Sequence, residues 1–309
     1  MFQLCILGSS SATPAFKRHL SAQVVWHNDR IFLIDCGEGT QFQLLRFHIR
    51  LPRLDAIFIS HLHGDHFFGL VGLLCTMNNQ ERTRPLNVYA PAGLKDILYL
   101  QFKASDTKMR FDLNIHELTS KVSEKIFENS GLEVSTLPLK HRVYCNGFLF
   151  QEKARLGRLN AIKAQEAGVP SSYYRWLKQG MPVTRDDGKV FLPENFIEPA
   201  KPSFSYAYCS DNRYHESLFP LIQSVSVLYH ESTFMEEMKA KAETTEHSTA
   251  GEAAKTALAV GAGQLILGHF SARYPDLAPL LAEARAIFPN SYLAEEGKII
   301  DLTQPFSNA

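Results

Sequence analysis

Residues 60–66 read Ser60-His61-Leu62-His63-Gly64-Asp65-His66 and follow directly on the apolar run 55–59. Three histidines and an aspartate, spaced H-x-H-x-D-H, thus fall on a turn between a buried strand and a helix. That helix is expected to begin near Asp65 and run through Phe68, Leu70, Leu73 and Leu74. Such a turn lets several side chains converge on one point without competing for space in the core. Imidazole and carboxylate donors together suit zinc, and one cluster can hold two ions when later segments complete each shell. Four polar residues meeting by chance on a surface loop account poorly for this spacing.

Four donors leave such a site incomplete, so further ligands are expected downstream. His141 follows the strand-like run 133–139, Asp211 follows 204–209, and His269 follows 264–267. Each sits at or just past the C-terminal end of an expected strand, the edge along which open α/β sheets place their ligands. Singly, each would more often be an ordinary surface or core residue.

The strands expected before residue 150 are 2–7, 21–27, 31–35, 55–59, 87–90 and 132–137, each rich in Val, Ile, Leu or Phe and bounded by turn residues. Later strands are expected at 204–209, 225–229 and 264–268, with helices at about 249–260 and 276–287. Strands and helices mixed along the whole chain predict a layered α/β fold rather than an all-β barrel. A chain of 309 residues can bury a substantial core as one large domain or two smaller ones. It has no apolar run of membrane-spanning length and no basic leader, so a cytoplasmic location without membrane attachment is expected. The five cysteines are widely spaced and form no CxxC, which fits reduced, buried thiols and argues against thiolate zinc sites. A formal net charge of zero excludes a protein that coats nucleic acid nonspecifically, but it leaves room for a local basic patch.

Such a patch is present. Between 153 and 189 lie Lys153, Arg155, Arg158, Lys163, Arg175, Lys178, Arg185 and Lys189 against Glu166, Asp186 and Asp187, with Tyr173, Tyr174 and Trp176 interleaved. The segment 151–193 breaks the strand pattern. It is either a solvated surface excursion or an arm that grips phosphates with aromatic anchors.

The H-x-H-x-D-H element with three later ligands resembles the metallo-β-lactamase superfamily. Further stretches narrow the resemblance to bacterial ribonuclease Z, the tRNA 3′-processing endonucleases. They are Asp35-Cys36-Gly37-Glu38-Gly39-Thr40-Gln41, the run from Ser60 to Leu74, Tyr208-Cys209-Ser210-Asp211, His230-Glu231-Ser232-Thr233 and His247-Ser248-Thr249. The likeness extends from residue 4 to about 269. It implies an αββα sandwich over residues 1–309, with 151–193 as an inserted tRNA-binding arm. It also implies two Zn²⁺ per chain, one bound by His61, His63 and His141, the other by Asp65, His66 and His269, with Asp211 bridging. Asp65 would accept the proton of the attacking water. His247, oriented or charged by Glu231, would protonate the leaving 3′-oxygen. The RNA-binding residues it implies are Lys153, Arg155, Arg158, Lys163, Arg175 and Lys178. Precursor tRNA is then the substrate partner, a homodimer the expected assembly, and DNA is not expected as a partner.

The sequence departs from the family at two places. A Pro-x-Lys-x-Arg-Asn loop is common after the first strand, whereas here the stretch is Pro14-Ala15-Phe16-Lys17-Arg18-His19. The Gly-Pro-rich turn of the arm is replaced by Val169-Pro170-Ser171-Ser172-Tyr173. His19, His27, His48, His116 and His215 are expected to be ordinary surface or strand-end residues. His230 is expected to hold its loop, and Asp35 to support the site without ligating. Two rival functions remain: a metallo-phosphodiesterase acting on small or cyclic nucleotides, and an RNA-binding protein with a vestigial metal site. A β-lactamase would be expected to carry a periplasmic leader, and no G-x-S-x-G supports a serine nucleophile.

Overall fold

The computed structural model describes residues 1–154, 157–198, 200 and 202–306. The chain divides into two compact units, one of residues 1–128, 133–150 and 204–309, the other of residues 129–132 and 151–203. Among the described residues, no helix is long and apolar enough to cross a membrane.

The larger unit is built on two seven-stranded sheets. The first runs in spatial order Ile299–Asp301, Phe2–Gly8, Ala22–His27, Arg30–Ile34, Leu54–Phe58, Leu86–Pro91 and Leu113–Leu118. The second runs Ser291–Leu293, Gln264–Gly268, Val227–Glu231, Ser205–Cys209, Asn146–Glu152, Leu132–Pro138 and Lys125–Glu128. Pairing is parallel from Arg30–Ile34 to Leu113–Leu118 in the first sheet and from Ser205–Cys209 to Ser291–Leu293 in the second.

Central strands are buried on both faces, which is why they read as unbroken apolar runs. One face of the first sheet (Cys5, Leu7, Val24, Leu33, Ile57, Val88) packs with Leu44, Leu70, Leu73, Leu74, Leu94 and Leu98 of the helices Thr40–Arg46, Leu70–Asn79 and Leu94–Ala104. The alternate residues face the second sheet, where Phe32 meets Phe150 at 5.9 Å and Phe58 meets Phe148 at 5.3 Å between ring centroids. Each of these four rings is fully buried, worth ~1.5–3 kcal/mol apiece by area. The helices Ala250–Ala259 and Ala278–Arg285 pack on the second sheet. The layering is therefore the expected αββα sandwich.

Three local expectations change. The helix foreseen from Asp65 through Leu74 is two, Gly64–Phe67 and Leu70–Asn79. Gly69 between them donates its N–H to the Cys36 carbonyl at 2.9 Å, and a Cβ there would lie 2.2 Å from the Gly37 oxygen. The close approach bends the chain. The strand foreseen at 225–229 is Val227–Glu231, because its parallel register pairs Val227 with Gln264 and Glu231 with Gly268. His230 and Glu231 thus lie on a strand. His27 ends the strand Ala22–His27, as expected of a strand-end residue, whereas His215 is buried and bonds Asn212 Oδ1 at 3.0 Å and Ser217 at 2.8 Å.

The smaller unit has its own core of Leu159, Ala164, Val169, Leu177, Phe191 and Phe196, joined by Tyr173, Tyr174 and Ile197. It reaches beyond the expected boundary at 193, since Ile197 pairs with Leu159 and Phe196 packs inside. Tyr173 and Tyr174 are half-buried, each packed against this core. Trp176 stays 48% exposed. Arg185 engages Asp187 and the Gly168 carbonyl, and Lys189 reaches the Ala167 carbonyl, so both cations serve the unit's own fold. Arg158, Lys163, Arg175 and Lys178 are exposed, and no ion pair occupies them among the described residues. Lys153 is half-buried, and its backbone N–H bonds the Gly131 carbonyl. Arg155 lies outside the described residues.

Candidate metal centre

The seven expected donors meet at the C-terminal ends of strands, parallel ones for all but His141. His61 to His66 follow Leu54–Phe58, and His141 follows Leu132–Pro138. Asp211 follows Ser205–Cys209, and His269 follows Gln264–Gly268. Asp211 (φ 32°) and His269 (φ 57°) both hold left-handed backbone, a strain of ~1–3 kcal/mol each that persists where surroundings over-determine it. Gly268, just before His269, is enforced by the Tyr229 hydroxyl, which a Cβ would approach to 2.1 Å.

The donors form two groups, His61, His63, His141 with Asp211, and Asp65, His66 with His269. In the first, His61 Nε2 lies 3.0 Å from His63 Nδ1, and His141 Nε2 lies 3.2 Å from the same atom. Asp211 Oδ2 faces His61 at 3.5 Å and His141 at 3.6 Å. The other Asp211 oxygen, Oδ1, faces His66 Nε2 at 3.1 Å and His269 Nε2 at 3.0 Å. Asp65 Oδ2 lies 3.4 Å from His66 and 3.5 Å from His269. One carboxylate thus spans both groups with a different oxygen toward each.

These spacings fit metal ions on the chemistry of the donors themselves. Ligands at ~2.0–2.1 Å around a tetrahedral ion stand ~3.3 Å from one another.

The remaining ring nitrogens of His61, His66, His141 and His269 are committed elsewhere, which sets their tautomers. His66 Nδ1 donates to Asp35 at 2.7 Å, His61 Nδ1 to Ser60 Oγ at 3.0 Å, and His141 Nδ1 to the Glu246 carbonyl at 3.1 Å. His269 Nδ1 donates to Thr233 Oγ1 at 3.0 Å, whose own proton goes to Glu231 at 2.5 Å. Asp35, fully buried, also accepts from the Ser60 N–H at 2.7 Å, the Ser60 hydroxyl and the Tyr208 hydroxyl at 2.6 Å. Those bonds offset a desolvation cost of several kcal/mol. Asp35 supports the site from behind.

Burial holds His61, His63 and His141 below the ordinary imidazole range, aided by the charge of His66 on His61 and of His141 on His63. Neutral imidazole is the form that binds metal. Burial alone would raise Asp65, but His66 and the hydrogen bonds from His269 and His66 hold it well below the carboxylate range.

His247 stands beside this cluster. Its Nδ1 lies 3.0 and 3.1 Å from the two Glu231 oxygens, and its ring stacks over His269 at 5.6 Å. A His247 nitrogen is also within 4.8 Å of donor atoms of Asp211 and His269. We read it as a partner of Glu231 rather than a ligand, since the two donor groups are complete without it. Burial would lower the His247 pKa, yet the Glu231 charge and hydrogen bond raise it to about 9. Glu231 is held below its ordinary range by the same pair, against burial.

The two short motifs around these residues have local reasons. Ser232 Oγ donates to the Gly268 carbonyl, tying adjacent strand ends together. Thr249 caps the helix Ala250–Ala259 through a reciprocal box with Glu252, so His247 enters at a fixed angle. Ser248 donates to the Asn212 carbonyl and Glu231 accepts from the Asn212 N–H, joining both motifs to the Asp211 loop. Asn212, Thr233, Ser60 and Tyr208 are supporting residues to which sequence reasoning gave no role. Ser60, Tyr208 and Thr233 lie within the quoted motifs, and Asn212 directly follows one.

A cleft lined by Ser11, Ala12, Thr13, Glu38, Phe68 and Arg142 opens onto His63, Asp65, Asp211, His247 and His269. Ala12 donates its N–H to Asp65 Oδ2 at 2.8 Å. The stretch 14–19 is folded back, with Arg18 donating to the carbonyls of Ser271 and Tyr274.

The chain is similar over nearly its whole length to proteins called ribonuclease Z. That of Cytophaga hutchinsonii is 48% identical over 96% of this chain and 95% of its own. That of Bacteroides fragilis is 40% identical over 97% of this chain and 99% of its own. Among solved structures, human tRNase Z, short form, superposes with a TM-score of 0.71 at 26% identity, covering 97% of this chain and 99% of that one. The metallo-β-lactamase fold protein YhfI of Bacillus subtilis superposes at 0.68 and 18% identity over 97% and 98% of the two chains, a likeness of fold. Residues 2–157 also match the family model described as Anti-Pycsar protein Apyc1. That match takes in His61 to His66 and His141 and stops before Asp211, His247 and His269.

Proposed function

The chain belongs to the ribonuclease Z family, its first half falling also within the family described as Anti-Pycsar protein Apyc1, and we propose that it removes 3′ trailers from tRNA precursors with two zinc ions. The observation that carries this reading is the division of the Asp211 carboxylate between two complete donor groups. Zinc held there would supply a water of lowered pKa and charge to clamp the phosphate oxygens. His61, His63 and His141 would hold one ion, Asp65, His66 and His269 the other, with Asp211 facing both. Asp65, oriented by the Ala12 N–H and held below the ordinary carboxylate range by His66, would take up the proton of the attacking water. His247, protonated at neutrality and locked on Glu231, gives a proton to the leaving 3′-oxygen. The tRNA then keeps a 3′-hydroxyl and the trailer a 5′-phosphate. Cleavage of end-labelled precursor tRNA with and without chelator, with both product ends mapped, tests this. Cleavage that survives full metal removal, or a phosphate left on the tRNA, would sink it.

A metallo-phosphodiesterase acting on small or cyclic nucleotides is the second reading. That activity has no use for the exposed cations Arg158, Lys163, Arg175 and Lys178 of the smaller unit, which we assign to tRNA phosphates together with Lys153 and Arg155. A homodimer is part of the proposal, supported by Phe42 and Leu45, 68% and 53% exposed and one turn apart on the helix Thr40–Arg46. Sedimentation at micromolar concentration is expected to show a dimer that Phe42→Glu dissociates. A wild-type protein sedimenting only as monomer would remove the dimer.

A further inference from the structure

A second groove meets the metal cleft on the His141 side. It is lined by Lys121, Lys140, His141, Arg142, Tyr144 and His215 among others, and no aspartate or glutamate lines it. Arg142 lines the cleft as well as the groove, and His141, which lines the groove, contacts His63 of the cleft at 3.2 Å. Lys121, Lys140 and Arg142 are exposed, and no ion pair occupies any of them among the described residues.

The loop carrying Lys140 and Arg142 is held in place rather than loose. Lys140 accepts from the Arg213 N–H at 2.8 Å and donates its own N–H to Asn212 Oδ1 at 3.1 Å. Asn212 is fixed in turn by Glu231 and His215. The Tyr144 hydroxyl donates to the Ser120 carbonyl at 2.8 Å, tying this loop to the segment bearing Lys121. The fold therefore gathers three unpaired cations beside a centre built to hold further positive charge. Like charges so placed repel, and the arrangement becomes favourable only when a polyanion lies along it.

We propose that this groove is a phosphate track for the RNA backbone next to the cut, separate from the basic surface of the smaller unit. The proposal rests on the nuclease reading of the metal centre. Two stretches of backbone share the required chemistry: the nucleotides of the trailer and those of the tRNA 3′ end.

The test compares wild type with Lys121→Ala/Lys140→Ala/Arg142→Ala, each carrying its metal. Affinity for fluorescein-labelled precursor tRNA is measured across a salt series, once with a long trailer and once with a single-nucleotide trailer. The triple variant should bind about tenfold more weakly at low salt, and its log–log salt slope should be shallower by ~2, near 0.7 for each phosphate no longer neutralised. Weakening confined to the long trailer assigns the groove to the trailer, and equal weakening on both assigns it to the tRNA 3′ end. Lys121→Arg/Lys140→Arg should keep the wild-type slope, which also guards against misfolding of the triple variant. Unchanged affinity and slope in a folded, metal-replete triple variant on both substrates would overturn the track. A wild type that cleaves no precursor tRNA, yet loses affinity with these changes, would instead sink the nuclease reading and leave the track standing.

Discussion

His247→Ala is expected to retain both metal positions and bind precursor tRNA normally, while turning over ~10²–10⁴-fold more slowly. The expectation comes from geometry: the imidazole is outside both donor groups, and Glu231 holds it by a pair of contacts at 3.0 and 3.1 Å. A leaving 3′-alkoxide needs a proton in the transition state. Bis(p-nitrophenyl) phosphate has a good leaving group and needs little protonation, so its hydrolysis should fall much less. Metal content by elemental analysis and the two rates together decide the matter. Equal losses on both substrates would show that His247 does something other than donate a proton. Loss of metal would instead make it a ligand in the grouping with Asp211 and His269.

Excision of the smaller unit should produce the second large effect. The cut has to run from 154 to 202, because Phe191, Phe196 and Ile197 belong to its core and would be stranded by a shorter deletion. The flanking strands Asn146–Glu152 and Ser205–Cys209 are sheet neighbours, and Gly147 lies against Tyr208, so residues 152 and 205 sit at the same end of an antiparallel pair. A short Gly-Ser linker can close them. Fold, metal content and small-phosphodiester hydrolysis should persist. Precursor tRNA cleavage should fall at least ~10²-fold in kcat/KM, chiefly through KM, since phosphate contacts contribute binding in ground and transition state alike. Near-normal processing by the deleted protein would make the unit a bystander to RNA cleavage.

Much of this protein was written in short stretches of its sequence. The H-x-H-x-D-H turn, His141, Asp211 and His269 could be found because ligands must follow strand ends, and strand ends show as apolar runs that stop at turn residues. A layered α/β fold was legible for a related reason, since strands buried on both faces have to be continuously apolar, whereas the αββα order came only from the family resemblance. The strand Leu113–Leu118 was missed because at the sheet edge it alternates with exposed residues and carries His116 and Glu117. Local sequence could not break the helix after Asp65 either, since the bend at Gly69 is imposed by the backbone of Gly37, distant in the chain.

The kind and order of donors followed from residue chemistry, which restricts the side chains that bind such ions and their spacing. How the donors are used followed from the folded backbone. It turned the two Asp211 oxygens toward different groups and set the tautomers of His66, His61, His269 and His141 through Asp35, Ser60, Thr233 and the Glu246 carbonyl. It also packed Tyr173 and Tyr174, half-buried, against a small core. The physical reason is one of range. Residue type and periodicity report what a segment can bury or bind, while hydrogen bonds between residues tens to hundreds of positions apart depend on where the folded backbone brings them.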